Sequence, residues 1–139
     1  MDLFDAIRGR RSCRSFSSRP VEDEKIMQII EAGTWAPSPA NQQPWSFVII
    51  KSQQLKESIR DAAQRKKERL FELSGMKWIN RYSLDYLPTA PVLIAVIGDR
   101  SKAGASSIED GGDAFKPACA AAVENMLLAA HALGLASVY

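Results

Sequence analysis

The sequence predicts one α/β or α+β domain in which a sheet is covered by helices. Two short β-branched or apolar runs, Trp45–Ile50 and residues 92–97, read as strands, and segments of helical period precede, separate and follow them. At 139 residues and 46% apolar content, the chain is long enough to bury roughly two thirds of its unfolded surface. No repeat or linker divides it, so residues 1–139 are expected to form a single domain.

Asp2 is a candidate cap for a short helix through Phe4, Ala6 and Ile7, with Gly9 placed to stop it in the left-handed conformation. A turn at Ser17, Ser18, Arg19 and Pro20 follows. Glu22, Asp23 and Glu24 then suit the positive end of a second helix, whose apolar positions Ile26, Ile29, Ile30 and Gly33 repeat at helical spacing. That helix must stop before Pro37. Residues 36–44 carry three prolines with Ser38 and Asn41, which is loop chemistry. After the first strand, Ser52 is placed to cap a charged helix holding Leu55, Ile59, Ala62 and Ala63, with residues 65–69 as its solvated face.

Residues 74–91 are irregular, with Trp78, Tyr82 and Tyr86 spread among polar neighbours, before the fully apolar second strand. Residues 104–112 read as a flexible glycine-rich loop that lacks the spacing of a phosphate-binding P-loop. Residues 118–133 are alanine- and leucine-rich around most of the circumference and are expected to form a buried central helix ended by Gly134. Residues 135–139 read as the start of a further strand.

Charge and composition exclude several function classes. With 18 basic and 16 acidic side chains the net charge is +2, too mild for a field that attracts nucleic acid or a membrane surface. The longest apolar run, residues 91–98, is far short of the roughly 20 residues of a spanning helix. The start of the chain does not read as a signal peptide, so the expected location is cytoplasmic. Cys13 and Cys119 are too few and too separated for a disulfide framework, and with His131 the single histidine no zinc cluster is expected. His131 reads as a packing residue, as do Cys13, Trp35 and Trp45, with Trp45 also a candidate for the wall of a site.

Two segments carry chemistry. Arg10, Arg11, Ser12 and Arg14 place three guanidinium groups and a hydroxyl within five residues of a helix end. Guanidinium offers paired planar donors that suit a phosphate, although a basic cluster in a loop is also compatible with plain solvated surface. In the second segment prolines fix the backbone, and Ser38, Asn41 and Gln43 present hydroxyl and amide groups able to bond a polar ring edge. The plainer reading there is a rigid connector.

The residues also carry a resemblance. Ala6, Ile7 and Arg8, then Arg10 to Phe16, Pro20 and Val21, Glu31 and Ala32, Trp35 to Ser38, Asn41, Gln43 to Trp45 and Phe47 follow in the order and spacing of the opening of the nitroreductase family. Ala90 and Pro91 before the second strand, and Glu124 to Leu135, resemble that family's later strand and central helix. The resemblance covers nearly the whole chain and implies a central, mostly antiparallel sheet covered by helices, in a homodimer with FMN at the subunit interface. It implies that Arg10 and Ser12 hold the flavin phosphate with help from Arg11. Arg14 would reach the ribityl chain and the pyrimidine edge, and Pro37, Ser38, Pro39, Asn41 and Gln43 would reach the flavin bound mainly by the other subunit.

The same resemblance implies an oxidoreductase that takes electrons from NAD(P)H and passes them to a nitroaromatic or quinone-like acceptor. No side chain is required as acid, base or nucleophile, because the flavin carries the reaction. Family members usually continue for several tens of residues, so by resemblance the chain is C-terminally short. The alternatives are a flavin-binding protein with little or no catalysis and, from another class, an anion- or nucleic-acid-binding module built on residues 10–14 and 65–69.

Overall fold

The computed structural model describes residues 1–104 and 113–139. The expected glycine-rich loop, apart from Gly104, lies outside the described residues. The chain divides into two compact units. One comprises residues 1–14, 21–48 and 94–139, and the other residues 15–20 and 49–93.

In the first unit, helix α1 (Leu3–Gly9) begins where the Asp2 carboxylate accepts from the Phe4 N–H at 2.7 Å. Helix α2 (Asp23–Thr34) has Asp23 and Glu24 in its first turn, where carboxylates favour the positive helix end. Strand β1 (Trp45–Ile50), of which residues 45–48 belong to this unit, matches the expected run, and β2 (Leu93–Gly98), of which residues 94–98 belong to it, is displaced by one residue from the expected 92–97. The two form a two-stranded sheet. The Asp99 N–H, just past the end of β2, donates to the Pro44 carbonyl at the start of β1 at 2.7 Å. Their directions are therefore antiparallel.

The last helix of this unit, α5, spans Phe115–Ala132. It ends with Gly134 at φ +76°, a left-handed position that suits glycine. Its buried residues Ala118, Ala122, Met126 and Ala130 recur every four positions and make one stripe. Helix α2 packs along α5, burying Ile26, Ile29 and Gly33. Ile29, Met126 and Ala130 form one core cluster, and Ala36, Trp45, Ala118 and Ala122 a second; Phe47 and Val96 pack against both. Polar groups reinforce the α2–α5 contact, since the Asn125 amide donates to the Ala32 carbonyl at 3.1 Å.

Helix α5 is less enclosed than its composition suggested, because Glu124 on the same helix is exposed and most positions between the stripe residues are half-buried. Gly9 also departs from expectation. It is the last residue of α1 and has no left-handed φ. A Cβ there would lie 2.6 Å from His131 Nε2, so with any larger residue at this close approach of α1 to α5 the His131 ring must turn aside.

In the second unit, helix α3 (Gln53–Ser74) is capped by the Ser52 hydroxyl, which accepts from Leu55 N–H at 3.3 Å, and ends at Gly75. A 3₁₀ turn (Lys77–Arg81) and the short helix α4 (Tyr86–Thr89) fill the irregular stretch before β2. The residue α3 buries is Lys56, whereas Leu55 is exposed. The Lys67 ammonium donates to the Tyr82 carbonyl at 2.6 Å, and Phe16 and Tyr86 form a tilted aromatic pair with centroids 6.5 Å apart. No helix among the described residues is long and apolar enough to cross a membrane.

Candidate functional site

The arginine segment is fixed at both ends. On one side α1 closes with the Arg10 N–H donating to the Ala6 carbonyl at 2.9 Å. On the other, Ser12 forms a parallel bridge with Ser137, and the Cys13 N–H donates to the Ser137 carbonyl at 2.9 Å. The chain after α5 thus pairs with the chain after α1. Between them lies a cavity of about 400 Å³ lined by Gly9, Arg10, Arg11, His131, Gly134 and Ser137, among others.

Charge on this wall is only partly spent. Arg10 Nε stands 3.8 Å from Glu124 Oε1, with both side chains partly open to solvent, so this pair contributes little stability and leaves most of the guanidinium donors available. Arg11 folds back, one Nη donating to the carbonyls of Arg8 at 2.6 Å and Arg10 at 2.7 Å. Ser137 Oγ is buried without a hydrogen-bond partner. A buried hydroxyl lacking a partner is costly, and here it belongs to a residue lining the same cavity as Arg10 and Arg11. Ser12 and Arg14 are exposed on the same segment.

The proline loop is built differently. Ser38 Oγ accepts from the Gln43 N–H at 2.9 Å, and the Gln43 amide donates to Asn41 Oδ1 at 3.4 Å. Pro39–Asn41 form a 3₁₀ turn, and Ala40, Asn41 and Gln43 take φ values of 49°, 53° and 47°. Three non-glycine residues in that region within four positions store strain of the kind found where a backbone is shaped for a ligand or partner. Pro37, Asn41 and Gln43 are exposed, while Ser38 and Pro39 are half-buried. None of the five lines the arginine cavity, so the structure gathers Arg10 and Arg11 in one place and leaves the loop residues outside it.

Trp45 is buried, as its place in the first strand suggested, but Trp35 is 79% exposed. It is the C-cap residue of α2, its N–H donating to the Ala32 and Gly33 carbonyls. His131, Gly134 and Ser137 entered the cavity unannounced. The available signal was the expected strand after Gly134, which needs a neighbour and finds one in Ser12.

A model of the Nitroreductase family matches residues 7–139. The chain belongs to the nitroreductase family. It is 31% identical over 139 residues to a protein of Methanothermobacter thermautotrophicus named "Putative NADH dehydrogenase/NAD(P)H nitroreductase", covering 100% of this chain and 60% of that one. The chain therefore spans about 60% of the length of this curated relative. A nitroreductase-type structure from Desulfovibrio desulfuricans in complex with FMN superposes with a TM-score of 0.72 at 34% identity, covering 99% of this chain and 67% of the other. An oxidized iodotyrosine deiodinase bound to FMN and 3-iodo-L-tyrosine superposes at 0.82 with 26% identity, covering 99% and 73%. The nitroreductase-like fold follows, with its mixed helices and small antiparallel sheet.

Proposed function

We propose that this chain is an FMN-dependent oxidoreductase, taking electrons from NAD(P)H and delivering them to nitroaromatic or quinone-like acceptors. The observation that carries the proposal is the arginine cavity, where two guanidinium-bearing residues and an orphaned buried serine hydroxyl line one wall in a member of a family with FMN-bound structures.

The residues present fit a phosphorylated flavin. Arg10 and Arg11 offer charged donors to a phosphate, Ser12 adds a hydroxyl from the bridged segment, and Ser137 Oγ gains a partner it otherwise lacks. Arg14 serves the ribityl chain and the pyrimidine edge, where a cation stabilises negative charge on a reduced ring. When bound, FMN would supply the hydride and electron chemistry. The part played by Pro37, Ser38, Pro39, Asn41 and Gln43 is to approach the flavin of a second subunit, the strained exposed loop being shaped in advance for that contact. Exposed Leu3, Phe4, Ile7 and Trp35 in the same unit support a homodimer. Sedimentation of a flavin-loaded monomer would remove this part of the proposal.

A second reading of the acceptor has its own support. The deiodinase structure bound to FMN and 3-iodo-L-tyrosine makes a halogenated aromatic a second candidate acceptor. One assay separates these readings: steady-state oxidation of NADH and NADPH by the FMN-loaded protein, with a nitroaromatic, a quinone and 3-iodo-L-tyrosine offered in turn. Acceptor-dependent turnover supports the oxidoreductase and names its acceptor class. Tight FMN binding without turnover leaves a flavin-binding protein, and failure of both ends the proposal.

A further inference from the structure

The second unit holds a cavity of about 560 Å³ lined by Phe16, Pro20, Lys56, Pro88 and Pro91, with Ser18, Gln53 and Thr89 at its polar edge. Lys56 is the one buried charged residue among those described, 5% exposed, and its Nζ donates to the Ala90 carbonyl at 2.7 Å. An ammonium carries three donors and a full charge. Among the described residues no carboxylate pairs with it. No carboxylate among the described residues lines the cavity; Glu57, the next residue in the chain, accepts from the Gln53 amide at 3.0 Å, and Asp85 stands 3.7 Å from Arg60. A buried charge without a counter-ion is strongly unfavourable unless something supplies one.

The polar edge narrows the chemistry. The Thr89 hydroxyl proton is committed to the carbonyls of Asp85 and Tyr86, at 3.1 and 3.2 Å. Ser18 makes no hydrogen bond among the described residues, so its hydroxyl is free to donate. Gln53 is the first residue of the 22-residue helix α3, whose positive end adds to the attraction for an anion. The rest of the lining is Phe16 with three prolines, whose rings are apolar and rigid and whose nitrogens carry no hydrogen. One ammonium and one hydroxyl match a single negative charge; a dianionic phosphate would leave charge against the apolar wall.

We propose that this cavity is a binding site for a small monocarboxylate with a flat apolar body, its carboxylate on Lys56 and Ser18 and its body against Phe16, Pro20, Pro88 and Pro91. A volume of about 560 Å³ lies within the usual range for small-molecule pockets. The proposal stands on residues of the second unit alone and does not depend on the flavin reading.

Calorimetric titration of the full chain with benzoate tests it, with benzamide as the neutral match and inorganic phosphate as the anion without an apolar body. Saturable binding of one benzoate per chain is expected, with benzamide and phosphate at least tenfold weaker. Lys56→Met should abolish it. Because removal of a buried ammonium also perturbs folding, Ser18→Asp at the exposed edge is the second variant: it should retain the parent's melting curve and bind benzoate at least tenfold more weakly. Benzoate binding no tighter than benzamide, phosphate binding as tightly as benzoate, or undiminished binding by Ser18→Asp would each overturn the assignment. FMN uptake measured on the same samples keeps this result separate from the fate of the flavin proposal.

Discussion

The arginine segment and the proline loop share the first unit and were both legible as candidate chemistry, yet they are prepared for a ligand in opposite ways. Residues 10–14 run between a helix end and a parallel bridge, with ordinary backbone and a concentration of side-chain charge. Residues 36–44 carry no charge; their preparation is in the backbone, with φ between 47° and 53° at Ala40, Asn41 and Gln43. One region holds its specificity in groups that substitution removes, the other in a path that substitution must bend. Different variants should therefore break each.

The largest effect is expected at the charged segment. Arg10→Ala and Arg14→Ala should each weaken FMN binding by about 1–3 kcal/mol, the range for a hydrogen bond to a charged group, with little change in melting temperature since both side chains are partly or wholly open to solvent. Flavin titration followed by fluorescence quenching measures this, and unchanged affinity in both variants would remove the assignment.

Next is the closure of α1 on α5. Gly9→Ala puts a methyl group 2.6 Å from His131 Nε2, the tip of a half-buried side chain that must turn aside, and the forced shift should cost about 1 kcal/mol in denaturant unfolding, relieved when His131 is also replaced by alanine. A cost that persists in the double variant would contradict the close approach.

The loop should respond to backbone chemistry. Ala40→Val places a β-branched residue at φ 49° and should destabilise by roughly 1 kcal/mol, whereas Ala40→Gly should stay within about 0.5 kcal/mol, since relief of strain is offset by the freedom glycine gains when unfolded. If valine and glycine behave alike, the left-handed path is not what the loop stores. The smallest effect lies outside both regions. Burial raises the Cys119 thiol above its ordinary pKa, so iodoacetamide at mildly alkaline pH should modify it more slowly than a free cysteine, because only the thiolate attacks.

Local signals translated well. Asp2 and Ser52 cap the helices they were expected to cap, Trp45–Ile50 is a strand, and Gly134 takes the left-handed turn after the last helix. These features depend on a few neighbouring residues and on backbone sterics. Features that depend on a distant partner were hidden. Lys56 falls among exposed polar residues in the helical pattern and is buried because the Ala90 carbonyl, 34 positions away, accepts from it. Gly9 looked like a helix stop, and its reason is the ring of His131. Trp35 looked like core and is exposed at the end of α2, while its neighbour Ala36 is buried. At the candidate site, clustering in sequence found Arg10 and Arg11, but the pairing of Ser12 with Ser137 brings in a wall that no local pattern contains.

The most direct test of the central claim is the visible absorption spectrum of the chain purified without added flavin, with any released chromophore identified by mass. The account predicts a yellow protein that releases FMN, and one that fades towards colourless when Arg10 and Arg14 are both replaced by alanine. A colourless protein that also fails to take up added FMN would contradict it.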